Sequence, residues 1–133
     1  MAIPTRTSVS ESQIGISWTP LTAPDNGDSE ITSYIVLWDN GAGSVTIELL
    51  DELTTSRTIT GLTGGKTYQF KVKAVNIYGE GTFSPILSVV ASDFPDKPGI
   101  PSVTIGASDV AVTVDWVAPD SHSSTIDGYE ILL

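Results

Sequence analysis

The chain is 133 residues long, 40% hydrophobic and 17% charged, with no cysteine and a formal net charge of −10 at pH 7. That length holds one domain of about 90–100 residues and a remainder too short to be a second. The acidity argues against nucleic acid or anionic lipid as a partner, and the missing cysteines exclude a disulfide framework and a thiolate metal site.

A first strand is predicted over Thr5 to Val9, behind Pro4, which suits a sheet edge. Gln13 to Trp18 follows with Ile14, Ile16 and Trp18 on one face, so Trp18 reads as core rather than as an exposed ligand stacker. Pro20 to Glu30 is a long polar turn. Ile31 to Trp38 reads as a strand with Tyr34 and Val36 facing inward, and Asp39-Asn40-Gly41-Ala42-Gly43 as a turn carrying the Asn-Gly hairpin signal. Val45 to Leu50 alternates as its neighbour. Arg57 to Thr60 is a short strand with Ile59 buried, and Leu62 anchors the Gly64-Gly65 turn. Tyr68, Phe70, Val72 and Ala74 then alternate with Gln69, Lys71 and Lys73, the period-two pattern of a strand with one buried face. A turn from Asn76 to Gly81 leads to a last strand, Pro85 to Ala91. Seven short strands with turn signals between them, and no helical period, predict an all-β sandwich.

Asp93 to Pro101 carries Pro95, Pro98 and Pro101 and is predicted to be a stiff spacer that joins no ladder. The pattern then begins again. Val112-Thr113-Val114-Asp115-Trp116 repeats Ile14-Gly15-Ile16-Ser17-Trp18, and Ile126-Asp127-Gly128-Tyr129-Glu130-Ile131 repeats Ile31 to Val36.

The stretch LTGGKTYQFKVKAVNIYGEG, Leu62 to Gly81, resembles the sixth strand of a fibronectin type III domain with its flanking turns. Leucine, turn glycine, tyrosine, aromatic, Val-x-Ala-Val-Asn and Gly-x-Gly all fall in register. The resemblance implies an immunoglobulin-like sandwich with Trp18 at its centre and a tyrosine corner at Tyr68, whose hydroxyl bonds back to the preceding turn. It divides the chain into a complete module at 1–92, a proline-rich linker at 93–101, and the first three strands of a second module at 102–133. The expected core residues are Trp18, Tyr34, Leu62, Tyr68, Phe70, Val72, Trp116 and Tyr129. Trp116, Ile126, Tyr129 and Ile131 lack a facing sheet in this sequence. Either the natural protein continues and supplies it, or a neighbouring chain donates strands to residues 102–133.

Several patterns invite chemistry and are weighed against blander readings. Asp120-Ser121-His122-Ser123-Ser124 puts serine, histidine and aspartate together, but a triad converges from separated parts of a chain, so this reads as a solvated loop. Asp25-Asn26-Gly27-Asp28-Ser29-Glu30 has hard oxygen ligands without the EF-hand spacing. If the family's topology brings the linker to the next module's loop, Asp93 and Asp96 approach Asp120, with Asp39 or Asn40 on the other side. Those acids are the weak metal candidates, and solvated carboxylates around a proline spacer are the plainer reading. The loop where the family's best-known integrin motif lies, here Asn76 to Ser84, has no Arg-Gly-Asp. Its aromatics, Tyr78 and Phe83, are candidates for partner contact.

No catalytic residue, no cofactor and no enzyme activity is expected. No apolar run approaches the roughly 18–20 residues of a membrane span, and Met1-Ala2-Ile3-Pro4 lacks a secretion signal's basic and apolar regions. The resemblance implies a structural, spacing and interaction module of a repeat protein of a cell surface, filament or extracellular matrix. Its partners would be other protein domains, including copies of the same repeat assembled head to tail. A receptor-type binding module and an accessory domain of a larger enzyme are the alternatives.

Overall fold

The computed structural model describes residues 1–106 and 111–132. Ten strands run through them in chain order: β1 Thr5–Val9, β2 Gln13–Ser17, β3 Ile31–Trp38, β4 Ile47–Glu52, β5 Ser56–Thr60, β6 Thr67–Asn76, β7 Gly79–Glu80, β8 Leu87–Val90, β9 Ser102–Ile105 and β10 Val112–Asp115. The first eight make two antiparallel sheets. One has the order β1-β2-β5; the other has β4-β3-β6, with β7 and β8 pairing different lengths of β6.

β6 is the axis of the second sheet because its alternation is the cleanest in the chain. Tyr68, Phe70, Val72 and Ala74 are buried, and the residues between them stay partly open. Tyr34 faces Ala74, Val36 faces Val72 and Trp38 faces Phe70 across the β3–β6 ladder, while Tyr68 faces Val89 on β8. The opposing sheet contributes Ile14, Ile16 and Ile59, and Trp18 completes the layer just past the end of β2. Burying each large apolar side chain contributes about 1.5–3 kcal/mol, and Ile14, Ile16, Val36, Phe70 and Val72 are wholly enclosed. Gly15 is required by a close approach. β1 slips register between Arg6 and Ser8, and a Cβ at Gly15 would lie 2.4 Å from Ser8 Oγ and 2.6 Å from Thr7 Oγ1.

Two tyrosine hydroxyls tie loops to the core. Tyr68 Oη accepts the Thr63 amide at 2.9 Å, the geometry of a tyrosine corner, and the ring stacks on Trp38 at 6.1 Å. Tyr34 Oη accepts the Leu21 amide at 3.1 Å and pins the long polar turn. Leu62, expected in the core, is half-exposed and packs against its edge.

Some strand limits differ from the sequence reading. The fourth strand runs Ile47–Glu52 rather than Val45 to Leu50, because the Asn-Gly turn is only one corner of a longer loop. Asn40 and Gly41 both take positive φ, 48° and 70°, and the Ala42 amide closes onto the Asp39 carbonyl, but pairing with β3 resumes only at Ile47. Gly79–Glu80, read as a turn, makes a two-residue bridge to β6, and the last strand shortens to Leu87–Val90.

In the second stretch β9 and β10 pair antiparallel. Residues 126–131, expected as a third strand, carry no strand. The strand whose sequence this segment repeats, β3, is held between β4 and β6, and among the described residues from 102 on only β9 and β10 are strands. Without a ladder partner the segment gains no backbone hydrogen bonds as a strand. Trp116 is half-buried and Tyr129 is exposed, packed edge-on at 5.3 Å. Neither reaches the enclosure of the core expected for it.

Candidate functional site

The two ends of the sandwich differ in what they present. At the far end of β6 the chain turns through Asn76, Ile77 and Tyr78. Asn76 joins two loops, its Nδ2 donating to the Asn26 carbonyl at 3.0 Å and its Oδ1 accepting the Tyr78 amide at 2.9 Å. With the turn so braced, Ile77 and Tyr78 stand out at 76% and 83% exposure. Beside them is a shallow groove between Leu21, Asp25, Asn26, Ile31 and Glu80. Phe83 is elsewhere. It is half-buried on the outer face of the sheet, with Lys71 Nζ and Lys73 Nζ 4.5 and 4.7 Å from its ring centre, and Lys73 pairs with Glu80.

The acids of the polar turn do not converge. Asn26 Oδ1 accepts the Asp28 amide at 3.0 Å, and Gly27 and Asp28 turn the chain with positive φ. Among the described residues no group of three or more acids and histidines is placed to hold a metal.

At the near end of β6 one linker acid, Asp96, and Glu11 of the β1–β2 turn meet a residue that sequence reasoning placed in solvent. His122 is no free loop residue. Its Nε2 meets Asp96 Oδ1 and its Nδ1 meets Glu11 Oε2, each at 3.2 Å. Ser123 Oγ donates to Glu11 Oε1 at 2.7 Å. Of the three weak metal candidates, Asp96 is engaged by His122. Asp120 Oδ1 accepts the His122 amide at 2.9 Å, and Asp93 Oδ1 accepts the Phe94 amide at 2.8 Å. The linker also donates: the Asp96 amide to the Asp120 carbonyl at 2.9 Å and the Asp93 amide to the His122 carbonyl at 3.4 Å. It joins no sheet, yet it is no detached spacer.

Asp39, suggested for the far side of a metal site, is instead buried at 1% exposure. It accepts the amides of Gly41 at 2.9 Å, Gly43 at 3.0 Å and Gln69 at 3.0 Å. Burial alone would raise its pKa, but the Gln69, Gly41 and Gly43 amides hold it below the ordinary 3.8.

Hydrogen bonds to Asp96 and Glu11 raise the His122 pKa from 6.5 to about 9, against an opposing effect of burial, with the charges of Asp96 and Asp120 adding to the rise. A raised histidine pKa gives an interaction fully present below pH 6.5 and lost as pH rises through about 9. The expected NMR titration midpoint of the His122 ring is therefore about 9, falling back toward the ordinary value in Glu11→Gln/Asp96→Asn. A midpoint the same in parent and variant would show that the two carboxylates do not hold the ring.

A family model described as the fibronectin type III domain matches residues 3–90. The chain belongs to the fibronectin type III family. Protein sidekick-1 of Gallus gallus is 32% identical over 120 residues, covering 86% of this chain and 5% of that protein. Endoglucanase B of Cellulomonas fimi is 28% identical over 137 residues, covering 97% of this chain and 12% of that one. The chain thus spans a small fraction of the relatives it matches. Among solved structures, the sixth fibronectin type III domain of human fibronectin type III domain containing protein 3 aligns with a TM-score of 0.59 and 27% identity. That alignment covers 72% of this chain and 89% of that one. Domains A168–A170 of titin align at 0.56 and 28%, over 66% and 30%.

Glu11 and Asp39 are the residues that sequence reasoning missed in these roles. For Asp39 a signal existed: an aspartate opening an Asn-Gly turn is a ready acceptor for the amides that follow. For Glu11 none did, because its partner is 111 residues away in sequence.

Proposed function

We propose that this fibronectin type III chain is a non-catalytic spacing and interaction module of a multi-domain repeat protein of a cell surface, filament or extracellular matrix. In this reading residues 1–92 are one complete module and residues 102–133 the front of a second. Two observations support the repeat. The alignments to sidekick-1 and endoglucanase B are longer than the 3–90 match. The Trp18–Tyr34 pair, edge-on at 5.9 Å and 62°, also has a counterpart in Trp116–Tyr129 at 5.3 Å and 63°.

The observation that carries the binding role is the exposed Ile77-Tyr78 tip on a braced turn. A rigid aromatic held clear of the fold presents contact area at little entropic cost, and Asp25 in the groove beside it offers a carboxylate to a basic side chain of a protein partner. The test compares bead-bound parent with Ile77→Ser/Tyr78→Ala for retention of surface proteins from the source cells. Retention should be lost in the variant while its melting temperature stays that of the parent. Equal retention would place the contact elsewhere.

The alignment to endoglucanase B favours a second reading, an accessory domain of a larger enzyme. A catalytic domain in the same open reading frame would decide for it.

A further inference from the structure

We propose that the end of the sandwich away from Tyr78 is a docking surface for the unit that follows in the same chain, and that the Glu11–His122–Asp96 bridge fixes the orientation of the two. This goes beyond the binding reading, since it concerns the opposite end of β6 and stands whether or not the Ile77-Tyr78 tip meets a partner.

The surface is built from three separate pieces of chain. The β1–β2 turn supplies Glu11, whose two carboxylate oxygens are divided between Ser123 and His122. The turn before β6 supplies a floor without side chains. A Cβ at Gly64 would lie 2.6 Å from Ser123 Oγ and 3.2 Å from Glu11 Oε1, and one at Gly65 3.5 Å from Ser123 Cβ. The linker supplies Asp96, which holds the far nitrogen of the imidazole.

Against this surface sits the 121–124 turn, closed by the Ser124 amide on the Ser121 carbonyl at 3.1 Å. Two consecutive non-glycine residues in it, His122 and Ser123, take positive φ of 46° and 62°. That is uncommon for side-chain-bearing residues and is sustained where surrounding contacts over-determine the conformation. Here those contacts are Glu11, Asp96 and the two linker amides on the Asp120 and His122 carbonyls.

The chemistry suits a coupler rather than a catalyst or a metal site. One imidazole lies between carboxylates on opposite edges of its ring, so the acids cannot converge on a single ion. The ring meets acid from the β1–β2 turn and from the linker, while a third carboxylate, Asp120, accepts the backbone amide of His122. His122 is the single histidine of a chain with ten formal negative charges in excess, and two acids from separate elements meet it. A linker of nine residues with three prolines limits the reach of the following unit, and the bridge selects one orientation within that reach.

The absence of cysteine makes paired spin labels straightforward. Glu48→Cys on β4 and Thr104→Cys on β9 are exposed sites on the two units, and pulsed electron resonance on the 133-residue chain reads the distance between them. The expected parent result is one narrow distance. It should be lost to a broad distribution in His122→Ala, in Glu11→Gln/Asp96→Asn, and in Gly64→Val. The last keeps all three charges but fills the floor under Ser123. Asp127→Asn, an acid outside the bridge, should stay narrow. First-module melting, followed in each variant, confirms that the sandwich is intact. A parent distribution as broad as that of His122→Ala, or narrow distances throughout the variants, would overturn the assignment.

Discussion

Trp18→Ala should unfold the fibronectin type III sandwich or nearly so. Truncating a buried tryptophan typically costs about 3–5 kcal/mol, against a whole-domain stability of about 5–15 kcal/mol. The position justifies the upper part of that range. Trp18 is 5% exposed, lies between both sheets in the core cluster, and packs edge-on to Tyr34. Its backbone amide donates to the Thr55 carbonyl at 2.9 Å, so the residue is held from both ends and the hole left by alanine cannot close easily. Among the described residues the buried indole nitrogen has no hydrogen-bond partner, so Trp18→Phe removes no bond seen there and should lose only part of what alanine loses. Urea unfolding followed by far-UV circular dichroism measures both. An alanine variant with the parent's midpoint would remove Trp18 from the centre of the fold. Trp116→Ala provides the contrast. The same aromatic pair is present, but Trp116 is half-buried and Tyr129 exposed, so the midpoint of the sandwich should not move.

The difference between those two tryptophans also marks what the sequence could show. Period-two alternation at Tyr68, Phe70, Val72 and Ala74 is a local signal that the fold obeys, because each residue's burial follows from its own side of one strand. The family fold was legible for the same reason: the residues that identify it are close in sequence. Residues 126–131 carry the same kind of signal as Ile31 to Val36 and form no strand. A strand is a property of a pair, and no run of residues records whether its partner is present. The junction failed for a related reason. His122 between two serines looks solvated until the linker folds back and brings Asp96 and Glu11 to opposite edges of its ring. In the sequence Asp93, Asp96 and Asp120 read there as weak metal candidates, and neither Glu11 nor Asp96 reads as a partner of the His122 ring.

Asp39→Ala should be the costliest change outside the apolar core. The carboxylate stands at the crossing of β3 and β6, where its own amide donates to the Gln69 carbonyl at 3.2 Å and its Oδ1 receives the Gln69 amide in return. The same oxygen holds Gly41 and the other holds Gly43. Alanine orphans all three donors. Gly43 is exposed and recovers water, whereas Gly41 and Gln69 are partly covered. Each buried donor left unsatisfied costs about 1–3 kcal/mol, so two such losses are expected. Asp39→Asn keeps one oxygen for Gly41 and Gln69 but turns an amide group toward Gly43, and should lose less. Acid separates the charge from the shape. The folded pKa lies below 3.8, so the unfolded chain takes up the proton first as pH falls. Asp39 therefore stabilises fully above pH 3.8, and its contribution drains away as pH drops from there through the lower folded value. The gap in urea midpoint between parent and Asp39→Asn should be constant near neutrality and shrink over that acid window. Midpoints that stay a fixed distance apart down to the acid limit would mean that the three amides bind the oxygens without favouring their charge.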